Sequence, residues 1–401
     1  MSTLVITETH PIQYHAPVWR QMVQEEEVPL QVIYGGDFSV QGYRDREFGQ
    51  SFKWDQDLLS GYASQVLRPM AQGGPSCYEE VTAKGLDAAL LQAQPAALLI
   101  QGYHHVWDRA ALRWARQQHV PVLFRGETSD APRPGRALWK SLLRDALLRR
   151  LYRRFSACLY LGQGSRAHYE RLGVPAERLI HSPYCVSTAS FELEPLALTG
   201  LRDSTRQELA IPEDAFVMIF SGKLSRRKGV DLIPLAVRQM PFLRGRQVVL
   251  LFLGAGELQE ELRQLCAEPP QVEVRFTGFQ NQSQLSRFYA VADLLVLPSR
   301  ELETWGLVVN EALHHGLPCV VSRAVGSAPD LIEPAATGEV FATNSVAALA
   351  EALDRCARYA TLPATADRCR AQVAAYSISQ AASGIALAWK RLNSGDLPVR
   401  R

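Results

Sequence analysis

Short apolar runs recur along the whole chain, and this recurrence limits the folds that the chain can adopt. Examples are LVIT near residue 4, LQVIY at 30, AALLI at 96, VPVLF at 120 and ACLYL at 157. Segments with helical spacing, such as Asp108–Gln118, lie between these runs. Strands that alternate with helices form parallel sheets with helices on both faces. The sequence therefore predicts an α/β fold.

The strand-helix pattern pauses once and then begins again. The stretch SPYCVSTASFELEPLALTG, with its Pro, Ser, Thr and Gly residues, has no clear period, and the apolar runs resume with AFVMIFSG at 215–222. The junction between the two halves therefore lies near residues 186–210. A chain of 401 residues also exceeds what one ordinary hydrophobic core organises. We therefore predict two domains, residues 1–190 and 191–375.

Bulk composition restricts the partners and the compartment. A formal net charge of +2 gives no long-range reason to expect nucleic acid as a partner. The seven cysteines are scattered without CxxC spacing, which favours reduced thiols over disulfides or a zinc site. From the first residues, MSTLVITETHPIQYH, and the short apolar runs we expect neither a secretion signal nor a membrane-spanning segment. We expect a cytoplasmic protein, with contact to the inner face of the membrane left open.

In the second half, small and basic residues follow the predicted strands. Glycines that expose backbone N–H groups, lysines at a strand end and a helix N-terminus near Trp305 together favour binding of a phosphate or diphosphate. The residues that carry this prediction are Gly222, Lys223, Lys228, Gly254, Gly256 and Gly306.

Two glutamates, Glu303 and Glu311, flank the predicted helix start. If the helix begins near Gly306, Glu303 lies in the preceding loop and Glu311 on the helix, so both can border one pocket. Carboxylates accept hydrogen bonds from sugar hydroxyls. A diphosphate together with a sugar indicates a nucleotide-sugar ligand.

Several of these motifs, in order, resemble family 4 glycosyltransferases. The strings GKLSRRKGVDLI, LLFLGAGE, VRFTGF and LSRFYAVADLLVLPSRELETWGLVVNEALHHGLPCVV are similar to the family's C-terminal domain over 215–345. The N-terminal string HPIQY resembles a bacterial subset of that family. The resemblance implies a GT-B fold, in which two Rossmann-like domains with parallel sheets face each other across a cleft. It also implies that 376–401 form a helix returning to the N-terminal domain.

The resemblance assigns roles to residues of the donor side. It implies that Lys223 and Lys228 bind the diphosphate, that Glu311 holds the ribose hydroxyls and that Glu303 holds the transferred sugar. Glu303, Lys228 and Lys223 would form the catalytic set. The donor site would also include the backbone of Thr304, Trp305, Gly306 and Leu307, with Phe279 beside the base.

The acceptor site is expected in the first half. Candidate residues are His10, Gln13, Tyr14, His104, His105, Arg125 and Glu127, all after predicted strands. Many relatives have a histidine soon after the strand equivalent to VPVLF, where this chain has Arg125 and Glu127. A catalytic histidine is therefore not carried over to this chain.

The segment 136–155 has two interpretations. Its leucines, Trp139 and seven basic residues fit a helix that lies on an anionic membrane, or a helix packed on its sheet with a solvated basic face. We prefer the packed helix. The membrane interpretation would imply a lipid-linked acceptor.

We expect a retaining glycosyltransferase that moves a hexose-type sugar to a hydroxyl group. UDP-sugar is the favoured donor and GDP-sugar the second possibility, and the acceptor is a glycan, a lipid-linked molecule or a small molecule. No metal or cofactor is expected, because two lysines and a helix N-terminus replace a cation. The alternatives are a GT-B nucleotide-sugar epimerase and a non-catalytic nucleotide-sugar-binding partner.

Overall fold

The computed structural model describes residues 2–44, 51–128, 130, 138–189, 191, 195–241, 246–267, 272–301 and 303–399. The chain divides into two compact units. Among the described residues, the first comprises those within 2–44, 51–185 and 376–399, and the second comprises those within 186–375. The chain thus enters the second unit after Cys185, whereas the sequence was divided after residue 190.

All described elements of the first unit except its last helix lie before residue 182. Its elements are β1 (Leu4–Glu8), α1 (Ala16–Gln24), β2 (Leu30–Tyr34), α2 (Phe38–Gln41), β3 (Tyr43–Arg44), β4 (Ser51–Phe52), β5 (Ala63–Val66), α3 (Leu86–Ala93), β6 (Ala97–Ile100), α4 (Val106–Gln117), β7 (Val122–Phe124), α5 (Leu138–Tyr152), β8 (Ala157–Tyr160), α6 (Gln163–Arg171) and β9 (Leu179–His181). Short 3-10 turns lie at Met70–Gln72, Tyr78–Glu80 and Ala176–Arg178.

The second unit alternates strands and helices throughout. Its elements are α7 (Pro195–Glu208), β10 (Phe216–Ser221), a 3-10 turn (Arg226–Lys228), α8 (Leu232–Val237), β11 (Val248–Leu253), α9 (Gln259–Leu265), β12 (Val272–Gly278), α10 (Gln282–Val291), β13 (Leu294–Leu297), α11 (Leu307–His314), β14 (Cys319–Ser322), α12 (Ala328–Leu331), β15 (Gly338–Phe341), α13 (Val346–Ala357) and α14 (Pro363–Val373). The last helix, α15 (Ile378–Asn393), belongs to the first unit.

Each unit contains one parallel sheet, and the predicted α/β fold is confirmed. Within the described residues the first sheet has seven strands in the order β5-β2-β1-β6-β7-β8-β9, and the second has six in the order β12-β11-β10-β13-β14-β15. The order reverses between β1 and β6 in the first sheet and between β10 and β13 in the second. Open α/β sheets bind ligands at such reversals, outside the carboxyl ends of the strands.

Fully buried central strands explain why the apolar runs are continuous rather than alternating. In β1, Leu4 and Ile6 face a core that includes Ile385 and Trp389 of α15, while Val5 faces a second core on the opposite side of the sheet. Helix α15 packs against α1, and Lys390 Nζ lies 3.2 Å from a carboxylate oxygen of Glu26. Among the described residues, no helix is long and apolar enough to cross a membrane.

Candidate active site

An ion pair lies at the strand reversal of the second sheet. Lys228 follows β10, and its Nζ contacts Oε2 of Glu303, which follows β13, at 2.5 Å. Ser299 Oγ donates to the same carboxylate oxygen at 2.8 Å. Both charged side chains are largely buried, with 15% and 11% exposed. Because the pair is shielded from bulk water, its charges act on a nearby ligand more strongly than surface charges would.

A second ion pair holds the loops that carry the first. Arg300 donates to both carboxylate oxygens of Asp231, at 2.7 and 2.8 Å, and to the carbonyl of Arg226 at 2.7 Å. Bidentate pairs of this kind fix geometry as well as charge. The loop after β13 is therefore fastened to the 3-10 turn that ends in Lys228.

Helix α11 begins where the sequence predicted. Gly306 is its N-cap with φ of +90°, a left-handed conformation that favours glycine. Trp305 Nε1 donates to Oδ1 of Asn310 at 2.8 Å and so fixes the first turn. Glu303 lies before the helix, Thr304 is exposed and Leu307 is half-buried.

Glu311 lies on α11 and is only 2% exposed. Its oxygens accept hydrogen bonds from Tyr289 Oη at 2.8 Å and Gln282 Nε2 at 3.2 Å. Burial raises the pKa of Glu311 to about 7, although these two hydrogen bonds act in the opposite direction. His315 stacks on the Tyr289 ring at 4.9 Å and backs this cluster.

The glycines at the strand ends bring loops together. A Cβ on Gly254 would lie 1.9 Å from the carbonyl oxygen of Gly222, so only glycine permits this approach. The N–H groups of Gly222 and Gly254 already donate to the carbonyls of Leu253 and Gly278, both at 2.8 Å. These two N–H groups are therefore already hydrogen-bonded to the backbone, whereas the sequence predicted that glycine N–H groups here bind phosphate.

The other predicted donor residues lie along the same sheet edge. Lys223 directly follows Gly222 after β10, and Phe279, which is half-buried, directly follows β12. A Cβ on Gly256 would lie 2.4 Å from the carbonyl oxygen of Leu224. Lys223, Gly256 and Phe279 therefore lie in loops that follow strands of the second sheet, and their donor roles stay predictions.

A buried polar network lies at the strand reversal of the first sheet. His15 Nδ1 lies 2.8 Å from Oε1 of Glu8, the last residue of β1, and Gln101 Nε2 donates to the same oxygen. Within the described residues, Oε2 of Glu8, Nε2 of His15 and Oε1 of Gln13 are buried and have no hydrogen-bond partner. Buried polar atoms are nearly always satisfied in folded proteins, so these three atoms are candidate contacts for a ligand or for water.

An aromatic and imidazole cluster lies beside that network. The His10 ring is 4.5 Å from Phe38 and 6.3 Å from Tyr78, and Tyr78 is 4.6 Å from His105. Burial, together with His15 and His105, lowers the pKa of His10 to about 3, so His10 is neutral. Asp108 is nearby in α4, and burial raises its pKa to about 6.

The remaining acceptor-side candidates differ in accessibility. His104 and Glu127 are exposed and Tyr14 is half-buried. Arg125 is 3% exposed and donates to Ser182 Oγ at 2.9 Å and to the Pro183 carbonyl at 2.8 Å. Arg125 thus holds the loop after β9 within the first unit.

Sequence reasoning missed the residues that position the charged groups. These are Glu8, Asp231, Gln282, Tyr289, Ser299 and Arg300. Asp231 and Arg300 stand next to the predicted motifs, but only the fold shows that they pair. Gln282 and Tyr289 lie on a different helix from Glu311, so spacing gives no signal for them.

Two glycosyltransferase families match this chain. The family "Glycosyl transferases group 1" matches residues 202–368, and "Glycosyl transferase 4-like domain" matches residues 60–185. The group 1 match spans all six described strands of the second sheet, and the 4-like match spans five of the seven described strands of the first, from β5 to β9. Each match covers less than half of the chain, and both are to glycosyltransferase domains.

Curated relatives are similar to part of this chain, and solved structures are similar to its whole fold. D-inositol 3-phosphate glycosyltransferase 1 of Catenulispora acidiphila is 34% identical over 163 residues, which cover 38% of each chain. Less than half of that curated relative's length is therefore matched. Sucrose-phosphate synthase of Thermosynechococcus elongatus is 17% identical with a TM-score of 0.71, over 98% of this chain and all of that one. Anabaena Alr3699/HepE in complex with UDP is 19% identical with a TM-score of 0.69, over the same shares.

Proposed function

We propose that the protein is a retaining glycosyltransferase that moves a hexose-type sugar from a nucleotide diphosphate sugar to a hydroxyl group. A UDP-sugar is the favoured donor, and the structures of HepE with UDP and with UDP-glucose support this choice. The acceptor is a glycan, a lipid-linked molecule or a small molecule.

The contact between Lys228 and Glu303 carries the proposal. A lysine ammonium and a carboxylate that can accept hydrogen bonds from hydroxyls lie 2.5 Å apart in loops of a domain that matches the group 1 glycosyltransferases, which supports the proposal. A diphosphate sugar needs these two groups side by side, because its phosphate and its sugar are joined through one oxygen. When the donor binds, Lys228 exchanges its carboxylate partner for phosphate and Glu303 accepts the sugar hydroxyls.

The reaction would proceed through charge stabilisation. The bond between the anomeric carbon and the diphosphate oxygen breaks, and the electron pair stays on the diphosphate. Lys228, Lys223 and the N-terminus of α11 stabilise that charge. The acceptor hydroxyl bonds to the same face of the anomeric carbon, and its proton passes to the leaving diphosphate.

We place the acceptor side in the first unit. Gln13 and His10 lie at its strand reversal, and the unsatisfied oxygen of Gln13 supports a hydroxyl ligand there. Tyr14, His104, His105 and Glu127 complete the proposed set, with Arg125 positioning the loop after β9. We propose a cytoplasmic location, consistent with seven free cysteines.

We also propose that catalysis needs no metal ion, because two lysines and a helix N-terminus face the diphosphate. Activity should then survive chelation by EDTA. A strict requirement for magnesium or manganese would overturn this part of the proposal.

Incubation with a panel of UDP- and GDP-hexoses tests the function. The cognate donor should raise the melting temperature and be hydrolysed slowly, and NMR of the released sugar should show retained anomeric configuration. Lys228→Ala should lower the rate at least about 100-fold, as loss of a charge-stabilising group does elsewhere. The exposed Lys84 of the first unit supplies a matched Lys→Ala control with an unchanged rate.

The same panel separates the alternatives. An isomerised nucleotide-sugar released from donor alone would indicate an epimerase. Donor binding without turnover in the presence of a broad acceptor panel, with Lys228→Ala leaving the biological output intact, would indicate a binding partner.

A further inference from the structure

Helix α5 exposes four large apolar side chains. Trp139 is 63% exposed, and Leu142, Leu143 and Leu147 are between 54% and 71% exposed. We call these four residues the outer stripe. Large contiguous apolar patches are uncommon on soluble surfaces and usually mark an interaction site.

The helix has two apolar faces, and packing accounts for one. At about 100° per residue, the outer stripe spans about 140° of the helix circumference. Leu148 and Tyr152 fall on the opposite side and are buried in the core of the first unit. The preferred interpretation from sequence, a packed helix with a solvated basic face, therefore leaves the outer stripe unexplained.

Basic residues border the outer stripe. Lys140, Arg149 and Arg150 are exposed, and Lys140 Nζ lies 5.5 Å from the centre of the Trp139 ring. The single acid of α5, Asp145, is half-buried and pairs with Arg171 of α6. Its charge is thereby neutralised, and the accessible charge along α5 is positive.

We propose that the outer stripe of α5 inserts into the headgroup region of an anionic lipid bilayer. The leucines would enter the acyl boundary, and Trp139 would lie at the level of the headgroups, where indole rings are favoured. The basic residues would contact anionic lipid, with long side chains that reach back to the surface.

The same charges disfavour a second copy of this chain as the occupant. In a two-fold dimer built on the stripe, Lys140, Arg149 and Arg150 of one copy would approach these same basic residues of the other copy. Like charges at such short range oppose association. An anionic surface complements all three basic residues at once.

Docking on a bilayer deepens the proposed function, on which this step depends. A transferase held at the membrane acts on acceptors that are held there too, so the acceptor would be a lipid-linked hydroxyl compound. Binding to lipid is measured without any sugar donor, so failure of the docking proposal and failure of the proposed reaction are distinguishable.

Flotation of the full chain with vesicles tests the docking. Wild type should float with vesicles of phosphatidylcholine and phosphatidylglycerol at low salt, and not with phosphatidylcholine alone. Leu142→Glu/Leu147→Glu should reduce the bound fraction at least about tenfold. Leu91→Glu is the matched control, because Leu91 of α3 is 58% exposed and lies outside the stripe. It should bind like wild type.

Quenching gives a second readout that does not depend on folding of the double variant. Brominated phosphatidylglycerol should quench part of the wild-type tryptophan fluorescence, and Trp139→Phe should remove that part. Absence of flotation and quenching by wild type, or equal binding by the double variant, overturns the proposal. A wild-type dimer in lipid-free sedimentation that the double variant abolishes would also overturn it, in favour of a contact between copies.

Discussion

At the residue scale, Asp231 determines where Lys228 lies. Its carboxylate takes two hydrogen bonds from Arg300, and that clamp joins the turn containing Lys228 to the loop containing Glu303. Asp231 itself is not in the proposed reaction. We therefore expect Asp231 to affect catalysis by positioning Lys228 and Glu303.

Asp231→Asn should weaken the clamp without removing a reacting group. We expect a KM for the donor several-fold higher and a lower kcat, because a small misplacement of catalytic groups is costly. Steady-state kinetics across donor concentrations measures the change in KM and the change in kcat separately. Asp367, an exposed residue of α14, supplies the matched Asp→Asn control. Unchanged KM and kcat in Asp231→Asn would contradict the positioning role.

Glu311 makes stability depend on pH. The pKa of Glu311 in the folded protein, about 7, lies above its ordinary value of 4.5, so folding favours the protonated carboxyl group. Below about pH 4.5 Glu311 is protonated in both the folded and the unfolded protein, so it contributes no pH dependence there. As the pH rises from about 4.5 to about 7, the unfolded protein releases this proton first, and the free energy of unfolding falls. Above about pH 7 this loss of unfolding free energy is constant, at most about 3 kcal/mol.

Glu311→Gln should remove this dependence in the absence of ligand. The difference in melting temperature between the variant and wild type should be small at pH 5 and should favour the variant at pH 8. Thermal melts at both pH values measure it. If Glu311 binds ribose hydroxyls as an ionised group, the variant should also lose donor affinity. Equal pH profiles of the two proteins would contradict the raised pKa.

At the element scale, helix α15 is held against the first sheet by a close backbone approach. A Cβ on Gly384 would lie 2.0 Å from the carbonyl oxygen of His181, the last residue of β9. Backbone cannot yield as a flexible side chain does, so any side chain at 384 displaces the helix.

Gly384→Ala should therefore destabilise the first unit by about 1 to 3 kcal/mol, as overpacking does in other cores. Gly164→Ala is the control, because Gly164 lies in α6 with nothing within 4 Å of an added Cβ. Alanine there should be neutral or stabilise by up to about 1 kcal/mol, since it favours helix. Denaturant melts compare the two, and equal effects would contradict the close packing.

At the scale of the whole molecule, the two units have separate sheets. The proposed donor residues all lie in the second unit and the proposed acceptor residues in the first. A ligand that contains only the nucleotide part should therefore stabilise one unit more than the other.

Hydrogen exchange with and without UDP should show this difference. Amides in the loops after β10 and β13 should exchange more slowly with UDP, because a ligand that binds only the folded form suppresses local opening. Amides at the carboxyl edge of the first sheet should change less. Protection limited to the first unit would place the nucleotide on the wrong unit and contradict the donor assignment.

The sequence by itself determined the fold class and the start of α11. Continuous apolar runs predict buried parallel strands, and a glycine before a helical period predicts where a helix begins. Both patterns involve residues that are close in the sequence, so they can be recognised without knowledge of tertiary contacts. The donor roles of residues near these strand ends and near the start of α11 stay predictions.

Only the tertiary structure decided how those residues are partnered. Lys228 and Glu303 are 75 positions apart and Tyr289 and Glu311 are 22 apart, and neither spacing encodes a contact. The structure also gave α5 a second apolar face, because the sequence shows that the residues are apolar but not which side is covered. Pairing and burial depend on which strand lies beside which, and that order is a property of the folded sheet.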